Sequence, residues 1–184
     1  MIKIEKICLR NFKTYKNAEM SNIPRFCVVV GANGSGKSTL FDVFGFLRDC
    51  LTFNVTRALR TRGGFHEVVS RGADGENLSI EMQYRMPITG RERLVTYSLE
   101  IGLEGKSSCI VREVLRYKRG AHGSPFHFLD FSSGVGEAVT NEEDFDKTDE
   151  ELTKERQDLG QRDILAVKGL GQFQRFRAAN ELHQ

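Results

Sequence analysis

The chain has 184 residues, 39% of them hydrophobic and 28% charged, with a formal net charge of +2. That composition suits one globular domain with a core, or part of a larger one, and no apolar stretch approaches the ~20 residues a membrane helix needs. MIKIEKICLRNFK lacks the apolar block of a secretory leader, and Cys8, Cys27, Cys50 and Cys109 show no CxxC or metal-type spacing; a cytoplasmic protein without disulfides is expected.

Ile2, Ile4 and Ile7 alternate with charged residues and predict a first strand. FCVVV, residues 26–30, is a continuous apolar run, which predicts a strand buried on both faces. Leu40, Phe41, Phe44 and Leu47 then recur at helical spacing, so a helix is expected from about Lys37 into the low fifties. Gly63 and Gly64 interrupt the regular structure, and a basic loop continues to Gly72. From Leu78 to Phe131, LSIEMQYRM, RLVTYSLEIGLE, SSCIVREVLRYKR and PFHFLDF are rich in β-branched and aromatic residues with turn-forming residues between them. This predicts an antiparallel meander.

After Gly136 the sequence predicts a loop or a short exposed helix. Residues 141–158 hold nine acids and three bases, a local charge of −6. The balance of the chain is correspondingly basic, as for a working surface beside a solvated acidic segment. DILAVKG, from Asp163, suits a strand or a helix start, and QFQRFRAANELHQ suits a helix. No internal repeat is present.

One stretch carries chemistry. GANGSGKST fits G-x-x-x-x-G-K-[ST] through Gly31, Gly36, Lys37 and Ser38, between the expected buried strand and the expected helix. Glycines let consecutive backbone N–H groups turn toward phosphate oxygens, and the helix N-terminus adds partial positive charge there. The cradle comprises Gly31, Ala32, Asn33, Gly34, Ser35, Gly36, Lys37, Ser38 and Thr39. Lys37 would serve the β and γ phosphates, and the Ser38 hydroxyl would serve Mg²⁺.

LRNFKTYKN, the apolar run and GANGSGKSTLFDVFGFL together resemble the amino-terminal half of an ABC-type ATPase head. The group includes SMC, RecF and RecN proteins and the bacterial predicted ATPases related to OLD nucleases. Leu9, Asn11, Phe12 and Lys13 match an L-x-N-F-[KR] opening strand, Asn33 the G-x-N-G loop, and Phe41-Asp42 an apolar-acidic pair on the helix. RTRGGFHEVVSRG and DILAVKGLGQFQRF are similar to stretches of the predicted-ATPase branch. The resemblance implies an α/β P-loop NTPase lobe with a mixed sheet and an antiparallel β subdomain. Residues 1–76 would hold the opening strands, P-loop and first helix, and 77–140 the β subdomain. Residues 141–160 would be an acidic loop and 161–184 the start of a helical region. It further implies ATP and Mg²⁺, with Lys13 or Arg10 approaching the nucleotide. Gln172, or second Gln161, would be the Q-loop glutamine that helps hold Mg²⁺ and the attacking water. Asp42 and Asp49 read as exposed positions of the helix face.

The family's signature motif and Asp-Glu strand are not found in these 184 residues. FHFLDFSSG imitates them, but Phe131 stands where the catalytic glutamate belongs, so a meander strand is the better reading. The expectation is half of a head, hydrolysing ATP once a C-terminal half completes it and pairing through its heads as a homodimer. By the same resemblance it would act on DNA in repair, processing or phage defence, with an effector such as a nuclease. Arg57, Arg60, Arg62 and Arg71 are the candidate DNA contacts. The alternative is a nucleotide-switched module that recruits a partner protein without hydrolysis.

Overall fold

A computed structural model describes residues 3–73, 75–88, 90–118, 125–140, 151–176 and 179. Eight strands form one sheet: β1 (Lys3–Phe12), β2 (Tyr15–Ser21), β3 (Leu78–Ile88), β4 (Arg91–Glu104), β5 (Ser107–Tyr117), β6 (Phe126–Ser132), β7 (Val135–Val139) and β8 (Lys154–Asp158). Their order is β2-β1-β3-β4-β5-β6-β7-β8, and every neighbouring pair is antiparallel. The helices are α1 (Lys37–Thr52), α2 (Val55–Arg60), α3 (Phe65–Val68) and α4 (Ala166–Leu170).

The meander forms because alternation is strict where it matters. Leu78, Ile80, Tyr84, Met86 and Ile88 of β3 and Val95, Tyr97, Leu99 and Ile101 of β4 all face one side and are buried. Against that side pack Val43, Phe46, Leu47 and Cys50 of α1, Val55, Ala58 and Leu59 of α2, and Val167 and Leu170 of α4. The opposite face is polar. There Ser98 and Arg116 donate to Glu81 at 2.9 and 3.2 Å, and Arg112 grips both oxygens of Asp130 at 3.1 and 2.8 Å.

Several expectations need correction. No mixed sheet exists among the described residues: the first hairpin joins the meander directly through β1–β3. FCVVV is not a buried strand; Phe26, Val28 and Val30 are 81%, 64% and 84% exposed and lie outside any strand. A strand is buried on both faces only when other elements cover both, and none among the described residues does. The buried stripe of α1 runs through Leu40, Val43, Phe46, Leu47 and Cys50, whereas Phe41 points outward at 63% exposure. Residues after Gly136 are not loop throughout, since β7 and β8 pair there. Residues 141–150 lie outside the described set, as does most of the tail after Phe176. DILAVKG leads into α4 rather than into a strand.

Residues Gly63 and Gly64 end α2 for a definable reason. The Gly64 N–H donates to the Leu59 carbonyl at 2.9 Å and the Gly63 N–H to that of Arg60 at 3.2 Å, with Gly63 at φ 93°. This is a left-handed helix stop that a side chain would strain.

Candidate functional site

The GANGSGKST loop ends where α1 begins, so its last residues occupy the positive end of a 16-residue helix. Gly34 and Gly36 adopt φ 82° and 92°. At Gly36 a β-carbon would also sit 3.0 Å from the Tyr15 hydroxyl oxygen and 3.2 Å from Thr14 Oγ1. Both backbone angle and crowding therefore demand glycine there. The Ser35 N–H closes the turn on the Ala32 carbonyl at 3.3 Å. Lys37 folds back over the loop, its Nζ donating to the Gly31 and Ala32 carbonyls at 2.6 Å each and to Ser35 Oγ at 3.4 Å. An ammonium held by neutral carbonyls at the mouth of a glycine loop is available to stronger, anionic acceptors. Ser38 is exposed in the first turn, and Thr39 Oγ1 lies 3.4 Å from Thr14 Oγ1. The donor set fits a polyphosphate with a divalent cation.

The L-x-N-F-[KR] residues have separate tasks. Leu9 and Phe12 are buried, Phe12 meeting the Phe46 ring edge-on at 5.7 Å. Asn11, in the left-handed region at φ 54°, donates through Nδ2 to Glu76 Oε2 at 2.9 Å and to the Asn77 carbonyl at 3.2 Å. Lys13 Nζ meets Asp42 Oδ2 at 2.5 Å, on the side of α1 that leads to the loop. Arg10 instead is exposed on the open sheet face, beside Asn77 and Glu100.

Asp42 and Asp49 are not free surface acids. Arg62 donates from Nε to Asp42 Oδ1 at 3.0 Å and from NH1 to Asp49 Oδ2 at 2.8 Å. Burial works to raise the Asp42 pKa, but Lys13 and Arg62 outweigh it and hold that carboxyl below its ordinary value. For Asp49, the hydrogen bond from Arg62 is the leading cause of a lowered pKa. Arg62 is thus 11% exposed and committed to α1, which sets it apart from Arg57, Arg60 and Arg71. Those three are exposed. Arg57 stacks over Phe53 at 3.8 Å. Arg60 lines a cleft of about 590 Å³ with Lys106, His66, Thr56 and Ser108.

The segment bearing Gln172 attaches elsewhere. Glu113, buried in β5, accepts hydrogen bonds from the Ala166 and Val167 N–H groups and, at 3.0 Å, from the Tyr97 hydroxyl. Burial pushes its pKa up to about 7 against the pull of those three donors. Lys168 donates to the Thr52 and Phe53 carbonyls at the C-terminal end of α1. Gln172, exposed two residues past α4, is therefore anchored at the far end of α1 from Lys37, and Gln161 is exposed near Gly134. Neither is brought to the loop. Asp130 lies on β6 within the meander, held by Arg112 and by His127 Nδ1 at 3.2 Å, while Phe131 is buried. Tyr15 and Thr14 join the site without having been singled out. Their partners lie far off in sequence, and no local pattern marks them.

A family model described as AAA ATPase domain matches residues 2–166. The chromosome partition protein Smc of Methanocaldococcus jannaschii is 38% identical over 63 residues, covering 34% of this chain and 5% of that protein. The chromosome partition protein Smc of Methanococcus voltae is 35% identical over 71 residues, covering 38% of this chain and 6% of that protein. The chain thus matches only a small fraction, 5–6%, of the length of these curated relatives.

Proposed function

The chain belongs to the AAA ATPase domain family, and from that membership we propose that it is the nucleotide-binding half of an SMC/RecF-like head that holds Mg-ATP in the Gly31–Thr39 loop. The observation that carries this reading is the pairing of Gly36, left-handed at φ 92°, with Lys37, whose ammonium lies over the loop carbonyls. The phosphate oxygens of ATP would take the place of those carbonyls as partners of Lys37, and the exposed Ser38 hydroxyl would help hold the cation. Mg²⁺ held there would supply charge neutralisation for the phosphates. Lys13, already paired with Asp42 on α1, would be the second cation to approach the nucleotide.

Hydrolysis belongs to the completed head. The run Phe26–Val30 is the natural place for further strands to pair, because Phe26, Val28 and Val30 stand exposed. The second half would bring the attacking-water machinery, with Gln172 or Gln161 moving in with its segment. Two such heads would close on each other as a homodimer in the cytoplasm. Arg57, Arg60 and Arg71 offer three exposed guanidinium groups, Arg60 lining the cleft it shares with Lys106, in keeping with a head that works on DNA in repair, processing or phage defence alongside a nuclease-type effector.

The test is Mg-ATP binding and turnover by the 184-residue chain beside Lys37→Ala. Binding by the wild type that is lost in the variant, with no turnover in either, supports the reading. Equal affinity in both overturns the cradle assignment. Turnover that depends on Lys37 overturns the need for a second half.

A further inference from the structure

We propose that Tyr15 is a positioning residue of the phosphate cradle, aiming the Lys37 N–H through the peptide unit that joins Gly36 to Lys37. The inference rests on the Mg-ATP reading of the same loop and adds a residue outside its motif.

The Gly36 carbonyl accepts two hydrogen bonds, one from the Leu40 N–H at 3.0 Å and one from the Tyr15 hydroxyl at 3.0 Å. The first is the ordinary opening bond of α1. The second comes from a different element, β2. A trans peptide is planar, so its C=O and N–H point in opposite directions. Fixing the Gly36 oxygen against the helix and Tyr15 therefore fixes the Lys37 N–H in the other direction, out of the helix start and toward the loop. That group is one of the donors a phosphate would use.

Glycine explains why a second bond is needed. Its backbone visits left- and right-handed regions with similar ease, so Gly36 itself gives the peptide unit little stiffness. The Tyr15 ring takes the space where a stiffening β-carbon would stand, with Cζ 3.1 Å from that point. It replaces the lost constraint by a hydrogen bond.

Tyr15 is the last rung of a ladder. Phe12 meets Phe46, Lys13 meets Asp42, Thr14 meets Thr39 and Tyr15 meets Gly36. Successive residues of the first hairpin thus touch α1 at intervals of four, three and three residues, which is one face of a helix. Lys13 enters this run at φ 50°, its N–H tied to the Val68 carbonyl at 2.7 Å. The hairpin turn is held along α1, and its end falls on the last glycine of the loop.

The experiment compares wild type, Tyr15→Phe and Lys37→Ala by titration with a fluorescent ATP analogue plus Mg²⁺, and by amide NMR of the free chain. The expected result is a loss of about fivefold in affinity for Tyr15→Phe, the worth of one hydrogen bond. The unfolding midpoint should fall only by the small amount that one part-exposed hydrogen bond allows, with shift and exchange changes confined to the Lys37 and Ser38 amides. Wild-type affinity and unaltered Lys37 and Ser38 amides in Tyr15→Phe, with binding lost in Lys37→Ala, overturn the role of Tyr15 alone. Exchange rising all along α1 also overturns it, in favour of plain structural support. No binding by the wild type, or undiminished binding by Lys37→Ala, overturns the nucleotide reading and this inference with it.

Discussion

Arg62 Nε and Asp42 Oδ1 meet at 3.0 Å, twenty residues apart in sequence, and the same guanidinium reaches Asp49 Oδ2 at 2.8 Å. One cation therefore ties two turns of α1 to the stop that ends α2. Asp42 is shared with Lys13, so the first hairpin joins the same network. Arg62→Ala should leave Asp49 without its inward partner and cost about 2–3 kcal/mol of stability, somewhat below a fully buried pair because both carboxylates keep some water. Arg62→Lys should recover only part of it, since one ammonium cannot serve two carboxylates in fork geometry. Urea unfolding of the three proteins decides this. Coincident midpoints would show that the network carries no net stability.

Glu113 makes a prediction of opposite pH sense to the surface acids. Its pKa, about 7 in the folded chain against an ordinary 4.5, means that the folded state holds a proton that the unfolded chain has released. That contribution is complete below pH 4.5 and is lost as pH rises through about 7. Stability should fall across that window by something on the order of 3 kcal/mol. Tyr97 from β4, the Ala166 and Val167 N–H groups from α4 and the thiol of Cys50 from α1 surround the carboxyl. The lowered pKa values of Asp42 and Asp49 act below their ordinary value of 3.8 and do not offset this slope. Glu113→Gln, measured by urea unfolding from pH 4.5 to 8, should flatten the dependence. A slope equal to the wild type's would assign it to other groups.

The sequence disclosed what local pattern can carry. The P-loop, the start of α1 at Lys37 and the meander were legible because glycine placement, helical spacing and period-two alternation are short-range properties. The exposure of Phe26, Val28 and Val30 was not, since an apolar run says that a strand wants cover without saying which chain supplies it. The grip of Tyr15 on Gly36 and of Arg62 on Asp42 also escaped, being contacts across 21 and 20 residues that only the packed hairpin and helix create. Arg62 looked like its neighbours Arg57 and Arg60 on paper. Burial separates them.

The uncovered run gives a prediction by its lack of packing. Val28→Thr together with Val30→Thr keeps β-branched shape while removing apolar surface, and neither side chain is buried against the core. The unfolding midpoint of the chain should shift by no more than an exposed-site change allows, about 0.5 kcal/mol in stability. Differential scanning calorimetry of the double variant is sufficient. A loss of more than about 2 kcal/mol would mean that the run is packed in solution, contrary to its exposure here.

Salt dependence separates the arginines by function. Arg60 and Lys106 line one cleft from two elements, α2 and the β4–β5 turn, and neither has an ion-pair partner among the described residues. If duplex DNA lies there, each charge neutralises about one phosphate and releases about one counterion. Arg60→Ala and Lys106→Ala should each weaken binding of a short duplex and reduce the slope of log affinity against log salt by about one. Arg62→Gln should leave the slope unaltered, because that guanidinium already faces two carboxylates. The three salt titrations, run on folded variants, weigh these assignments directly. Equal slopes in Arg60→Ala and wild type would remove the cleft from the DNA path, and a reduced slope in Arg62→Gln would mean that Arg62 leaves α1 when DNA binds.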